Sequence, residues 1–407
     1  MAKRAKRRRA KAETWAPAAK NPRVSPYELF YDLVFAAAIL GLSLQFGRTQ
    51  GWTAIGVAAV TFTFAWWVWQ ETVLFTNRFG DPLRPIPADS TRRVALLTLV
   101  GRWACLLQMI AVIMIALFEP AGLRAADLEG TFAFASAGAL AALALLREVG
   151  AAQRPELRAT IAKRRPWEIL AIALFCLEGF LHGAGDGYLW FAGLIATVVP
   201  GLIFETRDSA NDSRREAQHL SERLMLFFLI ISGDLFLKVI VYWNGDFAND
   251  LNPIQLVFVS AIIFSIFRLY VSRVGSRLVP KGGWRFSAWI LLHLLLCFAV
   301  LMAAGGMVEY VVPKGELSRW ALRGGAWSIA LALLCIAALD RIGGGPALKR
   351  RAWGLAAAAV SIGLSGVIVF EATPYSWRIG MGVIAAILVT YTTQAIWRTG
   401  APLSGGR

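Results

Sequence analysis

The stretch "VSPYELFYDLVFAAAIL", residues 24–40, decides how the chain is read. Ser25 is a candidate N-cap, and Pro26 follows at the first helical position, where a missing N–H has no partner to lose. The rest is apolar except for Glu28 and Asp32, which lie one helical turn apart on the same face. A charge at the centre of a bilayer costs about 2.5 to 3.5 kcal/mol on insertion scales unless the protein supplies a partner. Glu28, at the helix start, is favoured by the positive end of the helix dipole. Asp32 sits a turn deeper and needs a cation; by depth along its own segment, Arg102 is the nearest candidate.

The whole chain supports a membrane reading of that stretch. Its 407 residues are 57% hydrophobic and only 17% charged, with a mean hydropathy of +0.56, too apolar for a soluble domain. A hydrocarbon core about 30 Å thick is crossed by roughly 20 apolar helical residues. Twelve such runs can be marked, near residues 27–47, 51–75, 94–118, 128–147, 166–182, 186–206, 222–243, 252–272, 284–312, 322–340, 352–371 and 377–397. Lys and Arg test the division independently, because they accumulate at the cytoplasmic ends of spans. With the N-terminus inside, 34 fall on the cytoplasmic side and six outside, leaving Arg102 and Lys238 within spans. The expected fold is therefore an all-α polytopic membrane helix bundle of about twelve transmembrane helices with both termini cytoplasmic.

This division predicts a basic tail over residues 1–23, one membrane domain over 24–398 and a short tail over 399–407. No apolar signal-peptide core follows the basic start, so the N-terminus is expected to remain, facing the cytoplasm of a bacterial cell (inner) membrane. The net charge of +16 suits contact with anionic headgroups at the cytoplasmic face, and no nucleic-acid partner is expected. Cys105, Cys176, Cys297 and Cys335 all lie in apolar runs and read as small buried hydrophobes. Twelve spans leave room for a six-plus-six parallel duplication.

Ionisable and polar residues inside spans mark where chemistry could reside. They are Glu28, Asp32, Glu71, Arg102, Glu178, Asp234 and Lys238, accompanied by Gln108, His182 and His293. At about 1.5 Å of rise per residue, Glu28, Asp32, Glu71, Arg102 and His293 fall toward the inner face, with Glu178 and Asp234 near the midplane. Such depths allow convergence on one cavity. Asp234 and Lys238, at i and i+4, form either a self-neutralising pair or part of an ion or proton path. "TVVPGLIF" is expected to interrupt the sixth span at Pro200, and Gly233 to loosen the backbone beside Asp234. "WWVW", residues 66–69, reads as interfacial belt and core filler. No histidine pair, phosphate loop or nucleophile elbow occurs, so no catalytic, metal or cofactor set is expected.

"SPYELFYDLVFAAAI", "FTNRFGDP", "RWACLLQMIAVIMIALF", "HLSERLMLFFLIISGDLF" and "WILLHLLLCFAVLMAAGGM" occur in that order between residues 24 and 310. Together they resemble the bacterial low temperature requirement A (LtrA) family of multi-pass membrane proteins. The resemblance implies Glu28, Asp32, Asn77, Arg78, Gln108, His219, Glu222, Arg223 and His293 as motif positions. Where the family commonly has Gly-Glu in the seventh span, this chain reads Gly233-Asp234, a shorter acid.

The leading functional expectation is a transporter or channel-like protein that moves a small solute or ion through a charged intramembrane cavity. The alternatives are an intramembrane enzyme acting on lipid, with Glu28, Asp32, Glu222 and Arg223 at headgroup level, or a membrane scaffold or sensor. An oligomer of identical chains is compatible with all three.

Overall fold

In the computed structural model the described residues are 26–46, 51–79, 91–117, 126–153, 158–181, 187–208, 214–243, 252–275, 279–280, 283–311, 319–342, 354–364 and 376–399. The basic tail 1–23, residues 400–407 and His182 fall outside them. Among the described residues there is no strand. Each apolar run marked in the sequence coincides with a helix, except the seventh, which is divided into two.

The helices are α1 Pro26–Phe46, α2 Trp52–Phe79, α3 Arg92–Leu117, α4 Ala126–Gln153, α5 Arg158–Phe180, α6 Tyr188–Asp208 and α7 Arg214–Ser232. They continue with α8 Asp234–Trp243, α9 Pro253–Tyr270, α10 Gly283–Val311, α11 Arg319–Ile342, α12 Gly354–Leu364 and α13 Ser376–Thr399. By length and apolarity, six described helical stretches can cross a membrane: Arg92–Leu117, Gly130–Gln153, Ala217–Val241, Pro253–Gly275, Gly283–Val308 and Arg323–Ile342.

The chain divides into two compact units, Met1–Phe227 with Leu278–Ala288, and Phe228–Arg277 with Trp289–Arg407. In the first, α1 packs on α2 and α3, α2 on α4 and α6, and α3 through α6 pack each on the next. At its heart is α2, in which every residue from 64 to 76 is buried. A helix buried on all faces belongs inside a bundle, and the four aromatic residues around its middle fill that interior. Phe64 contacts the rings of Phe175 and Trp190 at 5.2 and 5.6 Å, joining α2, α5 and α6.

By contrast, α3 is apolar on its outer surface. Leu96, Leu99, Trp103, Leu106, Ile110, Ile113 and Leu117 are exposed at alternating three- and four-residue spacing, while Thr98, Cys105 and Gln108 are buried on the other side. A continuous exposed stripe of this kind, with the polar groups turned inward, is suited to lipid rather than water.

In the second unit α9 packs on α11 and α13. Close approaches define further pairings: Gly325 of α11 against Gly306 of α10, Gly363 of α12 against Ala330 of α11, and Gly354 of α12 against Tyr391 of α13. Asn252 caps α9 by accepting from the Gln255 amide at 3.2 Å, with Pro253 just inside. The same helix ends in a π-helical turn, Val271–Gly275.

Two local expectations about backbone breaks have opposite outcomes. Gly233 does separate α7 from α8, but it frees no backbone group: its N–H is shared between the carbonyls of Leu229 and Ile230, and its carbonyl accepts from Phe236 and Leu237. Any Cβ there would lie 3.2 Å from the Ile230 carbonyl oxygen. At Pro200, however, the expectation is corrected, because α6 runs through it without interruption. The adjacent Gly201 instead permits α6 to approach α2, and a Cβ on it would lie 2.6 Å from the Trp67 ring and 2.8 Å from Glu71 Oε1. Gly201→Ala should therefore destabilise the protein by about 1 to 3 kcal/mol through overpacking. Thermal unfolding in detergent will reveal this as a lowered Tm, whereas Gly56→Ala, with nothing within 4 Å of its Cβ position inside the same helix α2, should not lower Tm.

Candidate functional site: buried charge clusters

The carboxylate that raised the first question is wholly buried. Asp32 accepts from Arg223 Nη2 at 2.5 Å, Arg223 Nε at 3.1 Å and Trp69 Nε1 at 2.8 Å. Arg223 Nη1 donates to Thr76 Oγ1 at 2.7 Å. A planar guanidinium can engage both carboxylate oxygens at once, which a single ammonium does less well. The pair thus joins α1 to α7, and α2 contributes a donor and an acceptor from Trp69 and Thr76. Trp69 is held flat against Phe227, with ring centroids 4.0 Å apart.

Sequence depth pointed to Arg102 as the partner of Asp32, and the structure corrects this to Arg223. Depth along a span gives height but not azimuth, and Arg223 reaches inward from a helix end that the charge count had placed at the cytoplasmic boundary. Arg102 is half-buried on α3. With Arg223 1% exposed and engaged by Asp32, it is not a free headgroup-binding cation.

Around this pair lies a wider polar network. His219 Nδ1 faces Asn77 Oδ1 in a short contact, and His219 Nε2 lies 3.5 Å from Glu28 Oε2. Tyr31 donates a short hydrogen bond to Gln108 Oε1, which also accepts from Thr72 Oγ1 at 3.1 Å. Glu28, in the first turn of α1, is buried rather than facing water. Glu222 is only half-buried and accepts from Gln218 at 3.2 Å on its own helix.

Glu71 belongs to a separate cluster. Its Oε2 accepts from Arg164 Nη1 at 3.0 Å and, in a short contact, from Arg147 Nη2; Arg147 Nη1 in turn reaches Glu168 in another short contact. Two acids and two guanidinium groups alternate, all of them buried. At roughly 100° per residue, Trp67 and Glu71 point to one side of α2, with Trp69, Thr72 and Thr76 on the opposite side. Within this unit the charges therefore form two locally neutralised groups, not the single cavity that equal depth allowed.

In the second unit Lys238 Nζ lies 2.8 Å from Asp234 Oδ2, one turn along α8. Asp234 is 0% and Lys238 1% exposed. Arg273, in the π-helical turn, pairs with Asp340 of α11 at 3.2 Å. His293 Nδ1 lies 2.8 Å from the Trp289 carbonyl oxygen, so in the tautomer that carries its proton there it donates. The imidazole packs on Trp289 and edge-on to Tyr270. Glu178 serves a local purpose: in the last turn of α5 it accepts from the Gly187 amide at 3.2 Å, at the entry to α6.

Sequence reasoning missed Arg147, Arg164, Glu168, Arg273 and Asp340, having taken most of them as loop charges at span ends. Trp69, read as filler, is a buried donor to a carboxylate. The available signal was reciprocal: Glu71 requires a cation, and the nearest unassigned ones lay at the ends of neighbouring spans.

The bacterial low temperature requirement A protein (LtrA) family matches residues 23–390. The chain belongs to that family. No curated protein and no solved structure matches it. The match encloses every cluster described above and, with the apolar helices, identifies a bacterial multi-pass membrane protein. Of the motif positions that the resemblance implies, Asp32 meets Arg223, His219 meets Asn77 and Glu28, and Gln108 meets Tyr31 and Thr72, all on or beside α2.

Removing one member of a buried ion pair strands the other, at about 3 to 5 kcal/mol, whereas replacing both by apolar groups is often nearly neutral. Arg223→Met should accordingly lower Tm strongly, and Asp32→Leu combined with Arg223→Met should recover much of the loss. Equal melting of the single and double variants would show that the pair is not closed in the folded protein.

Proposed function

We propose that the chain is a cell-membrane transporter of twelve spans, with both termini cytoplasmic, built from two six-span halves and moving a small solute or ion. The observation that carries the reading is the Asp234–Lys238 pair, buried at a helix break in a membrane helix. Broken helices at membrane depth are tolerated where they line a binding site, and ionisable residues inside spans mark transport paths. The other buried ion pairs join separate elements, whereas Asp234 and Lys238 pair along one helix.

The halves are supported by the packing inside each unit. Counting α7 and α8 as one span, every pairing of the first half has a counterpart six spans later. α1 on α2 and α3 is matched by Phe228 of α7 against Tyr270 of α9, with ring centroids 4.2 Å apart, and by Lys238 of α8 against Gly305 of α10. α2 on α4 and α6 is matched by α9 on α11 and α13, and the successive pairings from α3 to α6 by those from α10 to α13. Even an ion pair recurs with its charges exchanged: Glu71 of α2 with Arg147 of α4, then Arg273 with Asp340 of α11. Parallel six-span repeats of this kind are a recurrent transporter architecture.

A lipid-modifying enzyme is less well supported, since Arg223 is engaged inside the protein and, among the described residues, no nucleophile stands beside an oriented base. Proteoliposomes enclosing a pH-sensitive dye, challenged with a panel of small organic and inorganic ions, test the transport reading. At least one solute should produce a response above that of empty liposomes, lost in Asp234→Asn with Tm preserved. An undiminished response in Asp234→Asn, or none in the native protein across the panel, would overturn it.

A further inference from the structure

We infer that the outer face of α3 is a docking surface for an anionic phospholipid, with the phosphate at Arg92 and Arg93 and the acyl chains along the apolar rows below them. The inference concerns the outside of the protein and is independent of the transport reading.

Arg92 and Arg93 open α3, and both are exposed. The first turn of that helix holds no acid to answer them. Other exposed arginines of the same unit are already engaged. Arg165 donates twice to Glu148, at 2.8 and 2.6 Å, Arg158 donates to the Ala151 carbonyl at 3.2 Å, and Arg285 lies over the Trp284 ring at 5.9 Å. Among the described residues no ion pair or side-chain hydrogen bond engages Arg92 or Arg93. A guanidinium is a planar fork that takes phosphate oxygens two at a time, and two of them side by side make a compact positive patch. Lys163, also exposed, offers a single ammonium without the fork.

The two arginines head two apolar rows on a helix long and apolar enough to cross a membrane. At roughly 100° per residue, Leu96, Leu99 and Trp103 continue below Arg92, and Val100 and Leu107 below Arg93, all of them exposed. At about 1.5 Å of rise per residue, Arg92 to Leu107 covers about 22 Å. A bilayer of about 40 to 45 Å, headgroups included, has leaflets of that depth. Charge at headgroup level and apolar surface down to the midplane is the profile of one phospholipid, and two rows suit two chains. A zwitterionic lipid brings its own ammonium to the arginines, so a headgroup with net negative charge is preferred. A second copy of the chain in the same membrane orientation fits less well. Packed through α3, it would bring its Arg92 and Arg93 against these, with no first-turn acid to cancel them.

The test is the fluorescence of Trp103 in the full chain, reconstituted in mixed phosphatidylcholine and phosphatidylglycerol bilayers in which one lipid or the other carries bromine on its acyl chains. The Trp103 signal is the native emission less that of Trp103→Phe. Each arginine near an anionic headgroup is worth about fivefold in affinity. Brominated phosphatidylglycerol should therefore quench Trp103 at a several-fold lower mole fraction than brominated phosphatidylcholine. Arg92→Gln combined with Arg93→Gln should bring the two lipids level, while Lys163→Gln should leave the preference in place. Equal quenching by both lipids in the native protein, or a preference intact in the double variant, would refute the inference. Loss of the preference on adding water-soluble glycerophosphate at matched ionic strength would assign the arginines to free phosphate, and a Trp103 shielded from both lipids would assign the face to a second copy. Either result excludes the lipid.

Discussion

A carboxylate cannot remain alone among hydrocarbon, and much of the first unit follows from how Asp32 is answered. Its partner, Arg223, comes from a helix almost two hundred residues away, so the pair determines where α7 lies against α1. The pair in turn needs donors and walls, and α2 provides both: Trp69 and Thr76 on one side, and a buried apolar surface around them. Because α2 is enclosed on all sides, its opposite face also needs its charge answered there, and Arg147 and Arg164 meet Glu71. Two desolvation problems, back to back on one helix, thereby position the surrounding helices.

Architecture was legible in the sequence because it depends on one-dimensional quantities. Apolar run length is read residue by residue, and each marked run coincides, over its described residues, with helix. Gly233 was legible for the same reason, since a glycine beside an intramembrane acid is a local signal. Pro200 was misread because a proline's effect depends on whether neighbouring packing holds the helix straight, and there the next residue, Gly201, fits against Trp67 and Glu71. The partner of Asp32 was misread because depth ranks candidates by height alone. Which face of α3 or α7 turns inward is a collective result of packing, and Arg102 and Arg223 carry the same charge.

The buried ion pairs differ in kind as well as place. Asp32 with Arg223, Glu71 with Arg147 and Arg164, and Arg273 with Asp340 each bridge separate helices, so they work as fasteners. Asp234 and Lys238 instead pair along a single helical turn of α8.

The two ion pairs have opposite sense: Glu71 of α2 meets Arg147 of α4, and Arg273, just after α9, meets Asp340 of α11. An exchange of partners would set Glu71 against Asp340, acid against acid, and Arg273 against Arg147. Either exchange strands like charges in a low-dielectric interior, whereas each pair as formed cancels its own.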